Sequence, residues 1–303
     1  MGLVVLDSVL VDLTLRVTRL PDRGGDVRSS RSSLATGGGF NVLAAARRQG
    51  LDAHYGGRLG HGPFADLARA SLDAEGITYG PDGGDDDLGV CVVVVDDEGE
   101  RTFITAPGAE LGLDGALLAR LDLRSSDYLY LSGYNLAHPE LASVISPWVR
   151  TISEDVVVAF DPGARFADAD PAVLASVLDR TDWLLASASE CRALAATPVL
   201  EMAARELLAR VRKGVVVHDG RAGCLVAVDD EVVRVAGYDV AVVDSNGAGD
   251  AHNGVFLAGL AAGLAPADAA RRANAAAAMA IESFGPAAAP TGEQLDAWLD
   301  ARR

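Results

Sequence analysis

Asp244-Ser245-Asn246-Gly247-Ala248-Gly249-Asp250, continuing as Ala251-His252-Asn253-Gly254-Val255-Phe256, is the stretch from which the rest of the chain is read. Small and turn-forming residues carry the backbone into a helix start with almost no side-chain bulk. The first-turn N–H groups then have neither helical partners nor a covering side chain. Bare N–H groups at the positive end of a helix dipole make an anion site. Asp250 adds one carboxylate among them, where it can take the proton of a hydroxyl attacking the bound anion. That pairing suits phosphoryl transfer from a nucleotide to an alcohol. A plain glycine turn capped by an aspartate is the competing account.

A second glycine segment lies far upstream: Thr36-Gly37-Gly38-Gly39-Phe40-Asn41, followed by Val-Leu-Ala-Ala-Ala-Arg-Arg. Three glycines ahead of a helix permit close backbone approach to a ligand. Asn41, in the first turn, can both donate to and accept from a sugar hydroxyl. A flexible turn with Asn41 as its cap would explain the same residues.

Between these segments, short β-branched runs alternate with amphipathic or Ala-rich stretches. Strands are expected over residues 3–6, 128–131, 156–160, 183–186 and 215–218, each a continuous apolar run of the kind buried in parallel sheets. Helices are expected over 41–49, 64–75, 198–211, 251–262 and 266–282. The alternation indicates a doubly wound α/β fold in a single domain spanning 1–303. Two stretches break it. Residues 13–20 alternate polar and apolar, and 90–95 with 101–105 flank an Asp-Asp-Glu-Gly hairpin signal. These predict a small separate sheet within about 10–30 and 88–108, able to cover a site or join two copies of the chain. The Gly- and Asp-rich residues 81–87 read as a loop.

Half of the residues are hydrophobic (50%), ample for a large core. The N-terminus shows no basic region ahead of a long apolar stretch, and no run of eighteen apolar residues occurs, so neither a secretory signal nor a membrane span is expected. Cys91, Cys191 and Cys224 are scattered without metal-type spacing and suit a reducing, cytoplasmic setting. The formal charge of −17, with no basic block, excludes a nucleic-acid partner. Lys213 is the only lysine and stands outside any glycine loop, so no P-loop is present. Nucleotide phosphates would have to be neutralised by backbone amides, a metal ion and an arginine.

Taken together, these segments resemble the ribokinase, or PfkB, family of carbohydrate kinases. Gly-Gly-x-x-Asn is present as Gly38-Gly39-Phe40-Asn41, and Asp-Thr-x-Gly-Ala-Gly-Asp as Asp244 to Asp250, with Ser245 in place of the threonine. Asp12, Asp161-Pro162, the Gly220/Gly223 pair and Asn274 extend the likeness over nearly the whole chain. The resemblance implies a ribokinase-like sheet flanked by helices, with a small β-sheet lid. It implies Asp250 as catalytic base, with Gly247, Ala248 and Gly249 as the anion hole. Asp12, Gly38, Gly39 and Asn41 would grip substrate hydroxyls. Ser187, His218, Gly220, Gly223 and Asn274 would line the nucleotide, Glu190 would serve magnesium through water, and Asp244 would help the 283–285 turn hold a monovalent cation such as potassium.

Several positions depart from the family pattern. Ser187 stands where the family has Asn, and Ser187-Ala188-Ser189-Glu190 also reads as a helix capping box. His218 replaces a threonine and His252 an aromatic residue. Leu10 and His61 depart on the substrate side, Arg165 could be an ordinary exposed loop arginine, and 285–290 follow the family's last motif only in part. The expected activity is ATP- and magnesium-dependent phosphorylation of a hydroxyl, a primary one, on a sugar or sugar derivative. A nucleoside kinase on the same fold, with Phe40, Phe103 and Tyr134 as a base shelf, is the alternative. A non-catalytic sugar-binding protein is the alternative of another class.

Overall fold

The computed structural model describes residues 1–80, 84–283, 285 and 287–302. Residues 81–83 of the expected 81–87 loop, Phe284 in the 283–285 turn and Pro286 in the 285–290 segment lie outside the described residues. In chain order the strands are β1 Gly2–Leu6, β2 Val9–Arg16, β3 Arg31–Gly38, β4 Asp52–Tyr55, β5 Thr78–Tyr79, β6 Val90–Val95 and β7 Arg101–Ala106. They continue as β8 Tyr128–Ser132, β9 Val157–Asp161, β10 Trp183–Ser187, β11 Gly214–His218, β12 Cys224–Val228 and β13 Glu231–Val235.

Nine of them form one sheet in the order β13-β12-β11-β10-β9-β8-β1-β4-β5. It is parallel from β5 to β11 and turns antiparallel at β12 and β13. The continuous apolar runs are explained by burial on both faces. Leu3, Val5, Tyr130, Leu185 and Val216 pack into one helical layer, and Val4, Leu6, Leu131, Leu184 and Val215 into the other. Fully burying such side chains stabilises the fold by about 1.5–3 kcal/mol each.

The runs also share an ending. Ser132, Asp161, Ser187 and His218 are the last residues of β8, β9, β10 and β11, and Asp7 directly follows β1. Ser132 pairs with Asp161 and Ser187 with His218 in register. Five consecutive strands of the sheet therefore deliver a polar side chain to the same carboxyl edge. That edge includes β1, where the strand order reverses between β8 and β4, the usual crevice for ligands in this architecture.

The second sheet runs β3-β2-β6-β7. The alternation expected over 13–20 is instead the strand Val9–Arg16. Val9 and Val11 are fully buried, and beyond them Asp12 and Thr14 are buried whereas Leu13 and Leu15 are half-buried. The outer half of the strand therefore hides its polar residues. Strand β3 was not expected at all. Arg31–Gly38 has no apolar alternation, and the supposed loop at 36–39 is the end of this strand, running straight into the helix Gly39–Arg48.

The glycines there make room for the protein's own chain. A Cβ on Gly38 (φ +61) would stand 2.1 Å from the Ser8 carbonyl, and one on Gly37 would stand 2.3 Å from Asp12 Oδ2.

The helices fall where the periodicity put them, including Gly39–Arg48, Pro63–Ala74, Leu200–Leu208, Ala248–Ala261 and Pro266–Ile281. The alanine bias has a packing cause: the Gly39, Ala248 and Pro266 helices lie close together. A Cβ on Gly254 would meet Ala45 Cβ and the Val42 carbonyl at 2.6 Å. This close approach brings the first turns of the Gly39 and Ala248 helices together.

Candidate active site

Gly247 is the N-cap of the Ala248–Ala261 helix in a left-handed conformation (φ 73), and no side chain caps it. The first-turn amides of this helix have no i−4 carbonyls within it to meet; Ala248 N–H donates 3.4 Å to the Ser245 carbonyl, and Gly249 N–H is left without a backbone partner among the described residues, at the border of the cleft. Asp250 follows in the same turn. Its Oδ2 accepts 2.9 Å from Asn41 Nδ2, which joins the two glycine segments across the chain. Burial raises the Asp250 carboxyl above the ordinary range, and the Asn41 contact partly offsets this.

Two cavities meet at this turn. The smaller, about 210 Å³, is bordered by Asp7, Tyr130, Ser132, Tyr134, Asp161, Ser187, Glu190, His218, Gly249 and Asp250. The larger, about 350 Å³, is bordered by His218, Gly220, Gly223, Tyr238, Val242, Ala248, Gly249, His252 and Asn274 among others, with a mainly apolar wall. Of the residues expected at the site, Asp250, Gly249, Ser187, Glu190 and His218 converge on the first. Ala248, Gly249, Gly220, Gly223, His218 and Asn274 converge on the second.

Asp12 joins the cluster from the lid. Burial first, and then the Asp250 charge, pushes its carboxyl up to about 6, while the Asn246 side chain lowers it. Gly38 and Gly39 contribute through position, since they hold the strand–helix junction that aims Asn41.

Other expected residues have structural partners. Ser187 and Glu190 form a full capping box: Glu190 N–H donates to Ser187 Oγ, and Ser187 N–H donates 2.8 Å to Glu190 Oε2. Capping leaves the second Glu190 oxygen with no partner among the described residues. Asn274 Nδ2 donates to the Val235 and Ala236 carbonyls at 3.1 Å each, which fixes the wall of the larger cavity. Gly223 (φ 92) lets the turn after β11 lie against Val235. Asp244 meets the guanidinium of Arg101 at 2.6 Å, as well as Asn246 N–H at 3.0 Å and Gly285 N–H at 3.1 Å. The place expected for a monovalent cation thus holds a lid arginine. Arg165 is an exposed loop arginine paired with Asp168. Phe40 is buried in the core and belongs to no base shelf; Tyr134 borders the smaller cavity, and Phe103 is exposed on the lid.

Sequence reading missed Asp7, Tyr130, Asn253 and Arg101. Burial chiefly, with the Asp250 charge, raises Asp7 to about 7. Burial and Glu190 raise Asp161 to about 8. Asp161 accepts from Tyr130 Oη (3.1 Å), Asn253 Nδ2 (2.8 Å) and Gly163 N–H (2.9 Å). The missed signal was positional: Asp7 directly follows an apolar strand at the functional edge, where Asp161 ends another.

Among the described residues no group of three or more His, Cys, Asp or Glu side chains is arranged to enclose a metal. Asp161 and Glu190 beside the cavity suit instead a magnesium ion that keeps most of its water.

A family model described as pfkB family carbohydrate kinase matches residues 2–292. The chain is 30% identical to an uncharacterized sugar kinase, YegV, of Escherichia coli K12 over 299 residues, covering 97% of this chain and 92% of that one. It is 32% identical to an ATP-dependent ribose-1-phosphate kinase of Halopiger xanaduensis over 303 residues, covering 96% and 95%. A putative ribokinase II of E. coli in apo form superposes with a TM-score of 0.86 at 21% identity, covering 99% and 100%. The chain belongs to the PfkB family of carbohydrate kinases and has the ribokinase fold. It is an ATP-dependent kinase that transfers phosphate to a sugar hydroxyl.

Proposed function

We propose that this PfkB-family chain phosphorylates a primary hydroxyl of a sugar or sugar derivative, with Asp250 as the general base and the amides of Gly247, Ala248 and Gly249 as the anion hole. The observation that carries this reading is the 2.9 Å contact between Asn41 and Asp250 beside uncapped helix amides. The base of ATP lies in the larger cavity, against its apolar wall, and the terminal phosphate lies over the Gly249 amide. The acceptor hydroxyl loses its proton to Asp250 while its oxygen bonds to the γ-phosphorus. The bond from that phosphorus to the bridging oxygen breaks, and its electron pair leaves with ADP. Amides preset around the migrating phosphoryl group and reactants held in line supply most of the acceleration. Bound magnesium would neutralise phosphate charge, and Asp161 and Glu190 would hold its water shell.

On the acceptor side, Asp12 and Asn41 hold hydroxyls, and the buried polar face of β2 closes over them. With Phe40 in the core, the base shelf loses one of its three candidates, and a bare sugar is favoured over a nucleoside. Arg101 beside Asp244 supports a reading in which potassium is not needed. Exposed Leu34 on β3 and Phe103 and Ile104 on β7 support a homodimer joined through the lid. Coupled assays of ATP consumption with ribose, fructose, a keto-deoxy acid, adenosine and pseudouridine test the reading. Turnover confined to the nucleosides, or none with any acceptor, would contradict it.

A further inference from the structure

Among the described residues, His218 and Gly249 are the two that border both cavities. A molecule with its base in one cavity and a phosphate over Asp250 in the other must pass between them. His218 Nδ1 lies 3.9 Å from where a Cβ on Gly249 would stand, so it faces that passage. His218 Nε2, on the other side of the ring, is buried without a partner, and so is Asn253 Oδ1. The Asn253 side chain is the polar neighbour that acts against burial to raise the His218 pKa. Its Nδ2 is already committed to Asp161 at 2.8 Å, so its oxygen is the atom left for the imidazole.

A neutral imidazole cannot serve both sides. With its proton on Nε2 it satisfies Asn253 but turns a lone pair toward the passage, where a phosphate oxygen would repel it. With its proton on Nδ1 it meets the phosphate and leaves Asn253 Oδ1 orphaned. The imidazolium satisfies both.

The groups around the ring point the same way. Asp250, Asp161, Glu190 and Asp7 all face the smaller cavity, and among the described residues no lysine or arginine borders it. Lys213 pairs with Asp182 and borders neither cavity, and exposed Arg221 at the border of the larger cavity pairs with Asp239 rather than reaching the passage. Behind the ring, His252 is 3% exposed, with ring centroids 4.4 Å apart and both nitrogens without partners, so it remains neutral and packs. Without ligand, burial holds His218 neutral, at about 4.

We propose that His218, backed by Asn253 and His252, donates a hydrogen bond to the phosphate chain of the donor nucleotide and takes up a proton as that nucleotide binds. This rests on the kinase reading above.

The test is calorimetric titration of the intact protein with magnesium-ADP at pH 7, in two buffers of different ionisation enthalpy. Wild type is expected to take up a proton that His218→Gln and His218→Thr do not. Both variants should raise KM for ATP about tenfold or more while KM for the sugar stays put, because a charge-assisted hydrogen bond is worth roughly 1.5–3 kcal/mol. Thermal unfolding checks that both variants fold. Equal uptake in wild type and variants, or an unchanged KM for ATP, would overturn the proposal. Failure of wild type to bind magnesium-ADP at all would instead bring down the kinase reading beneath it.

Discussion

Asn41 Nδ2 lies 2.9 Å from Asp250 Oδ2, a hydrogen bond between the first turns of two helices 209 residues apart in sequence. An amide donor to a carboxylate favours its charged form, which a general base needs. Removing that donor in Asn41→Ala raises the Asp250 pKa further. The acid limb of the kcat/KM profile should therefore move to higher pH, and KM for the sugar should rise several-fold. A pH-rate profile of the two proteins checks this; coincident acid limbs would separate Asn41 from the base.

Asp7 is held up by burial first and then by the Asp250 charge, so Asp7→Asn should change the pH dependence of stability. A carboxyl at about 7 in the folded state keeps a proton that the unfolded chain gives up near 4, so the ligand-free protein loses stability as pH rises between those values. Asp7→Asn should narrow that decline. Melting temperatures from pH 5 to 8 measure it, and parallel curves for variant and wild type would count against a buried, proton-holding Asp7.

Gly254 sets the distance between the two helices. A methyl group there would meet the Val42 carbonyl and Ala45 Cβ at 2.6 Å, and backbone has to move. Gly254→Ala is expected to cost about 1–3 kcal/mol in denaturant unfolding, within the range for overpacked cores. Its kcat should fall by more than the unfolded fraction explains, because Asn41 and Asp250 separate.

Arg101 gives a cation test. With its guanidinium on Asp244 and Ser245 Oγ, the wild-type rate should be the same in sodium and potassium. Arg101→Met leaves Asp244 without a counter-charge, and the variant should be slowed several-fold in sodium and partly restored by potassium. Strong potassium activation of wild type would show that the arginine does not fill that role.

Much of this was written in the chain in local terms. Five of the seven parallel strands were legible because each is apolar on both faces, whereas the short, half-exposed β4 and β5 were not; the start of the Ala248 helix was legible because a bare helix start requires small residues in sequence. Strand β3 was not legible: its residues Arg31 to Gly38 face a polar cover and a neighbouring backbone, so nothing in their hydrophobicity marks them. The glycines at 37 and 38 were legible as close approach, but what they approach, Asp12 and Ser8, depends on pairing that only the folded sheet supplies. Arg101 was hidden for the same reason. Its partner is 143 residues away in the loop ahead of the Ala248 helix, and no local pattern signals such a contact. The contact between His218 and His252, two separate departures in sequence, likewise exists only where β11 meets the Ala248 helix.

The most direct measurement is the turnover of Asp250→Asn, made alongside sugar and nucleotide binding by calorimetry. Loss of the base should lower kcat by at least about two orders of magnitude, within the ~10²–10⁴-fold range of general-base assistance, while both ligands still bind. Near-normal turnover by that variant would contradict the assignment of Asp250 as the group that takes the acceptor's proton.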